Sequence, residues 1–145
     1  IGYYTLPILV HSGASLVHAC EWNPEAAMAL GWGLEANAVE ERCVVHFGDN
    51  RVTTRSLEGV ADRVVMGLLP SSEGGYEPAI RVLKPEGGTL HLHGLAPSKG
   101  HGKWSGEVEG AISEIWPGSD IDSSLTRVKS YAPHWDHVVL DVELA

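Results

Sequence analysis

The sequence predicts an α/β fold, a mostly parallel sheet with crossover helices and an antiparallel hairpin at its C-terminal end. Three observations carry this expectation. Strand-like apolar runs alternate with helix-like segments from residue 4 to residue 93, the grammar of linked β-α-β units. The runs stop at turn-forming clusters, Gly48-Asp49-Asn50, Pro70-Ser71-Ser72 and Lys84-Pro85-Glu86-Gly87-Gly88. Near the end, residues 127–131 and 138–144 read as two strands joined by Ala132-Pro133-His134-Trp135-Asp136-His137.

Each element follows from its residues. Residues 4–11 predict a helix with Pro7 in its first turn and Gly13 as its stop. Residues 15–20 (SLVHAC) predict a short strand. Asn23 is a good helix N-cap and Pro24 a good first helical residue, so a helix is expected from there to about Asn37. Gly31 and Gly33 weaken it by ~1 kcal/mol each relative to alanine. Residues 42–47 (RCVVHF) and 64–69 are the next strands. Residues 77–83 form a short helix, and residues 89–93 another strand. Residues 94–124 are rich in glycine, serine and charge. They read as an irregular insert, with residues 111–116 as a helical turn or two.

The 145 residues suffice for one domain with a core, and 43% hydrophobic with 20% charged residues is ordinary for a globular protein. No apolar run approaches the ~20 residues of a membrane span. Cys20 and Cys43 each sit in an apolar run and form no CxxC, which predicts buried, reduced thiols and a cytoplasmic setting. Ten basic against nineteen acidic residues give a net charge of -9. That excludes a strongly basic nucleic-acid grip by this segment alone, so an RNA substrate would be held mainly by other regions.

In an open α/β sheet, ligands bind beyond the carboxyl ends of the strands. Three successive strand ends carry polar groups here: Glu21, then Asp49-Asn50, then Pro70-Ser71-Ser72. A carboxylate accepts from both vicinal hydroxyls of a ribose. Gly2 precedes Glu21 by 19 residues, close to the interval of about 20 between a glycine turn and a ribose-binding acid. Asp49, one strand on, suits an exocyclic adenine amine. The plainer reading has both acids capping the helices that follow. Two acids at consecutive strand ends behind a glycine favour a nucleoside cofactor. Spacing alone leaves NAD and S-adenosylmethionine open, since no GxGxxG is present.

The turn Leu83-Lys84-Pro85-Glu86-Gly87-Gly88 resembles that before the fifth strand of many Rossmann-like methyltransferases. IGYYTLP, HACEWNPEA, HFGDNR, GLLPSSEGG and VKSYAPHWDHVVLDVE extend the likeness. Together they resemble the C-terminal catalytic part of the wybutosine-synthesizing protein 2 family, the tRNA(Phe) aminocarboxypropyltransferases of eukaryotes, related in fold to tRNA guanine-37 N1-methyltransferases. The resemblance implies a Rossmann-like class I S-adenosylmethionine-dependent fold that lacks its first strand in this chain. It implies S-adenosyl-L-methionine as aminocarboxypropyl donor, C7 of 4-demethylwyosine at position 37 as acceptor, and no metal. By the same resemblance Gly2 ends the glycine loop, Glu21 takes the ribose, Asp49 and Asn50 lie on the adenine side, and Pro70 lies at the base pocket. The relatives' Asn-Leu-Pro reads Leu68-Leu69-Pro70 here, and loss of the amide favours aminocarboxypropyl over methyl transfer. The alternatives are a guanine-37 methyltransferase and a non-catalytic fragment.

Other groups have simpler readings. His91 and His93 share a strand face, and His134, Asp136 and His137 cluster in the terminal turn. A facial metal site is conceivable from them, yet hydrogen-bonded strand and turn residues are expected. Ser71 and Ser72 lack a GxSxG elbow and are expected to shape a loop. Trp22, beside Glu21, is expected either to line the adenine pocket or to pack.

Overall fold

A computed structural model describes residues 1–118 and 120–145. The chain divides into two units, residues 1–56 and 57–145.

The first unit is built on two parallel strands, β1 (Val17–Glu21) and β2 (Cys43–Phe47), in register from Val17 opposite Cys43 to Glu21 opposite Phe47. Three helices flank them: α1 (Thr5–His11), α2 (Pro24–Ala36) and α3 (Asn50–Thr53). Asn23 caps α2 as its sequence predicts: its side-chain oxygen accepts from the amides of Glu25 and Ala26, and Pro24 follows at the first helical position. The core gathers Leu9, Leu30, Leu34, Ala19 and Val39, with Leu6, Val17 and Cys43 against it. Arg42 pins the segment after α1, donating to the carbonyls of Leu9 and Ala14 at 2.8 Å each. Both cysteines are free. Cys20 is exposed and Cys43 half-buried, against the expectation of buried thiols. The alternation of a strand explains this: Ala19 takes the core face, and its neighbour Cys20 faces away.

The second unit holds a four-stranded sheet in the order β3-β4-β6-β5. The strands are β3 (Arg63–Met66), β4 (Gly88–Pro97), β5 (Ile121–Ala132) and β6 (Trp135–Leu144), with α4 (Tyr76–Val82) and α5 (His101–Ile115). β3 and β4 run parallel, while β6 lies antiparallel to both β4 and β5, so the expected terminal hairpin is present and longer than expected. Leu90, Leu92, Leu140 and Val142 are fully buried on one face, packed with Ala79 and Ile80 of α4 and Val108 and Ile112 of α5.

The irregular insert expected at residues 94–124 is not there. β4 runs on to Pro97, α5 takes fifteen residues, and β5 starts at Ile121. Trp104, Val108, Ala111 and Ile112 recur at helical spacing and supply the apolar stripe. The glycines that disguise the helix, Gly102, Gly106 and Gly110, recur every four residues on the opposite side, where nothing lies within 4 Å. Gly94 lets α5 seat on the sheet: a Cβ there would fall 2.3 Å from the Trp104 ring. Among the described residues no helix is long and apolar enough to cross a membrane.

Candidate functional site

The carboxyl ends of β1 and β2 bring four of the five expected site residues together. Glu21 ends β1, and the Gly48 amide beyond β2 donates to the Glu21 carbonyl at 3.0 Å. Asp49 and Asn50 therefore follow within two residues of that contact. The Ile1 nitrogen lies 3.3 Å from Glu21 Oε2, which sets the turn at Gly2 beside the acid. Gly2 has φ +97°, a left-handed conformation that suits glycine, and its carbonyl accepts the Leu6 amide at 3.0 Å, opening α1. A Cβ at Gly2 would stand 2.9 Å from Leu30 Cδ1, so the turn also packs closely on α2.

Glu21 accepts from the Asn23 amide through Oε1 at 3.0 Å. Burial pushes its carboxyl up, but the hydrogen bonds it accepts, that from the Asn23 amide first, outweigh this and hold it below the usual carboxylate value. It is ionised at neutral pH and its side chain stays 23% exposed, a charged acceptor open to incoming hydroxyls.

Asp49 is more committed. It caps α3 by accepting the Arg51 amide at 2.9 Å, and its two oxygens take the Arg51 guanidinium side on. That pairing, with the amide bond, lowers its carboxyl to about 2. Both oxygens already accept twice, so an adenine amine would have to compete with Arg51. Asn50 is exposed at the first turn of α3, and its side chain makes no hydrogen bond among the described residues. The capping role weighed for Asp49 is thus its observed role. Arg51 was not anticipated, although an arginine two residues after an N-cap acid is a readable signal. Trp22, next to Glu21, is 75% exposed. The donor set fits a nucleoside: an ionised, accessible carboxylate, a glycine turn against it and a free amide one strand away.

Pro70 lies in the second unit on the loop after β3. The Leu69–Pro70 bond is cis, and the Pro70 carbonyl accepts the Leu95 amide at 3.1 Å, which ties the loop to the carboxyl half of β4. Ser72 is buried and donates to the Met66 and Leu68 carbonyls at 3.2 and 3.1 Å, while Ser71 accepts the Glu73 amide. Both serines shape the loop. Of these histidines, His93 pairs with His137 at 2.9 Å and His91 with Asp141 at 2.7 Å, while His101 pairs with Asp136 at 3.0 Å. No group of three or more metal-binding side chains occurs among the described residues.

The family model described as TRM5/TYW2 methyltransferase domain matches residues 1–104. The chain belongs to this family. It is 47% identical over 98% of its length to tRNA wybutosine-synthesizing protein 2/3/4 of Arabidopsis thaliana, covering 15% of that protein. It is 38% identical over 99% of its length to the tRNA wybutosine-synthesizing protein 2 homolog of Homo sapiens, covering 44% of it. The chain thus spans less than half the length of these relatives. Among solved structures it resembles M. jannaschii TYW2 in complex with AdoMet, with TM-score 0.86, 29% identity, and coverage of 97% of this chain and 63% of that one. P. horikoshii TYW2 in complex with MeSAdo gives TM-score 0.86 and 30% identity, covering 98% and 52%. Trm5b of Pyrococcus abyssi is more distant, at TM-score 0.70 and 27% identity over 89% and 37%. The Rossmann-like class I transferase fold of this family is the fold of this chain.

Proposed function

We propose that this chain is catalytic machinery for moving the 3-amino-3-carboxypropyl group of S-adenosyl-L-methionine to C7 of 4-demethylwyosine at position 37 of tRNA(Phe), a cytoplasmic step of wybutosine biosynthesis. The observation that carries the reading is the likeness to a TYW2 structure holding MeSAdo. 5′-Methylthioadenosine is what the donor leaves when its aminocarboxypropyl arm departs. Departure of the methyl group would leave S-adenosylhomocysteine instead. The free cysteines suit a reducing compartment.

When bound, the donor's sulfonium supplies an electron-poor carbon and a neutral thioether leaving group, so the protein's task is largely positioning. Glu21 accepts from the two ribose hydroxyls. Asn50 meets the adenine edge, with Asp49 contributing as far as Arg51 yields. Gly2 lets the backbone pass close to the donor's amino-acid arm. Pro70 and its loop form one wall for the target base. The deciding test incubates the full-length gene product with tRNA(Phe) precursor and donor labelled separately in the methyl and carboxypropyl carbons. Carboxypropyl label should enter the RNA. Methyl label in the RNA would overturn the reading in favour of a guanine methyltransferase.

A further inference from the structure

The charge of this chain is unevenly placed. Residues 97–103 and 125–137 hold four of the ten Lys and Arg residues but one of the nineteen acids. The fold joins these two stretches at one end of the second unit. Pro97 pairs with Trp135 across β4 and β6, and the Ser98 amide donates to the His134 carbonyl at 3.0 Å. The single acid, Asp136, is 3% exposed and turned inward. It accepts from Arg127 and from His101, each at 3.0 Å, which locks the start of α5 to the β5–β6 hairpin. The acid thus serves as an internal clamp and leaves the exposed lysines of this end unpaired by it.

That end of the second unit carries Lys99, Lys103 and Lys129. Lys103 is 83% exposed in its side chain, with Glu107 3.7 Å away. Lys99 and Lys129 are exposed, and neither has an acidic partner within 4 Å among the described residues. The same hairpin exposes two aromatic rings, Tyr131 at 55% and Trp135 at 44%. Register puts Lys129 opposite His137, and His137 lies two residues from Trp135, so Lys129 and Trp135 share one face of the sheet. The Pro70 loop is bonded to Leu95 of β4, one strand alternation from Pro97.

We propose that this tip, formed by the turn after β4 and the β5–β6 hairpin, is an RNA-binding surface that holds the backbone beside the target base, with Lys99, Lys103 and Lys129 on phosphates and Trp135 and Tyr131 stacking unpaired bases. Interleaved cations and accessible aromatic faces are what single-stranded nucleic acid requires. The inference rests on the tRNA-directed reading above, and it adds contacts within this chain to those expected mainly from other regions.

The test uses the full-length gene product and a fluorescein-labelled anticodon stem–loop RNA, followed by anisotropy over a salt series. The double variant Lys99→Ala, Lys129→Ala should weaken RNA binding about tenfold near 0.1 M salt and reduce the salt slope by about 1.4–1.8, the value for two lost phosphate contacts. Trp135→Ala should weaken binding about five- to tenfold with the salt slope unchanged. Lys84→Ala, a lysine paired with Asp62 at the other end of β4, should change neither. Calorimetry with S-adenosylmethionine on the same samples should give one dissociation constant for all. Wild-type affinity and slope in the double variant would overturn the proposal, as would equal losses in Lys84→Ala. A protein that binds RNA through the tip but does not bind S-adenosylmethionine would remove the transferase reading and keep the RNA surface.

Discussion

Glu21 and Asp49 look alike in sequence, each an acid at the end of a strand, yet their surroundings assign them different work. Glu21 has one oxygen on the Asn23 amide and a side chain still open to solvent. Replacing it with alanine should raise the S-adenosylmethionine dissociation constant roughly 10- to 100-fold, the scale of about 1.5–3 kcal/mol for a hydrogen bond to a charged group. Titration calorimetry measures this, and an unchanged constant would remove Glu21 from the site. Asp49 is tied to Arg51 and the start of α3, with its carboxyl lowered to about 2. Its folded value lies below the ordinary 3.8, so its contribution to stability is present above 3.8 and lost as pH falls through about 2. Asp49→Asn should therefore be less stable than wild type in neutral buffer, the gap closing across that acid window in denaturant titrations. A gap that persists at the lowest pH would assign Asp49 a role other than capping and pairing.

α5 is the element where the residues and the fold disagree most instructively. Sequence legibility rested on strands that end in sharp turns and helices that begin with caps, such as Asn23-Pro24, and these lie where expected. α5 has neither signal: its N-cap is Gly100 with no side-chain bond, and three glycines lower its intrinsic propensity. It is helical because Trp104, Val108 and Ile112 bury against Gly94, Leu92 and Leu140, a tertiary gain that local composition does not reveal. The first half of β5, residues 121–126, is hidden for a related reason. It is an edge strand whose residues are mostly polar, paired on one side only. The candidate site was legible to the extent that it depends on strand ends, where Glu21 and Asp49 stand. The engagement of Asp49 by Arg51 was not, because it depends on a side-chain geometry created by α3. Gly106→Ala and Gly110→Ala should each stabilise the protein by roughly 0.5–1 kcal/mol, since both glycines are helical and face open space. Ile112→Ala, at a fully buried position, should cost about 2–5 kcal/mol. Chemical denaturation checks all three, and a destabilised Gly106→Ala would mean that α5 is strained there.

Among the described residues of the whole molecule, each unit carries one imidazole pair bridging neighbouring strands. His18 Nδ1 meets His46 Nε2 at 2.9 Å between β1 and β2, and His93 Nδ1 meets His137 Nε2 at 2.9 Å between β4 and β6. An N–H···N bond needs one ring neutral as acceptor, so a second proton breaks the pair and sets like charges together. Burial and then the partner's charge push His18 and His93 below their ordinary 6.5; for His93, His91 adds to this and Asp141 opposes it. Burial, then Lys129, pushes His137 down as well. A histidine whose folded value is depressed takes up protons more readily when unfolded. Its contribution is therefore complete above the unfolded value near 6.5 and is lost as pH falls below it. This window lies above that of Asp49, so acid loss of stability should begin with the histidines. The melting temperature should hold steady from pH 8 to about 7 and fall from there toward about 5. His93→Asn keeps a hydrogen-bonding side chain without a titrating ring, and it should flatten much of that decline, as should His18→Asn. A wild-type melting temperature that is flat across this range, or a decline untouched by both variants, would show that neither pair couples protonation to folding.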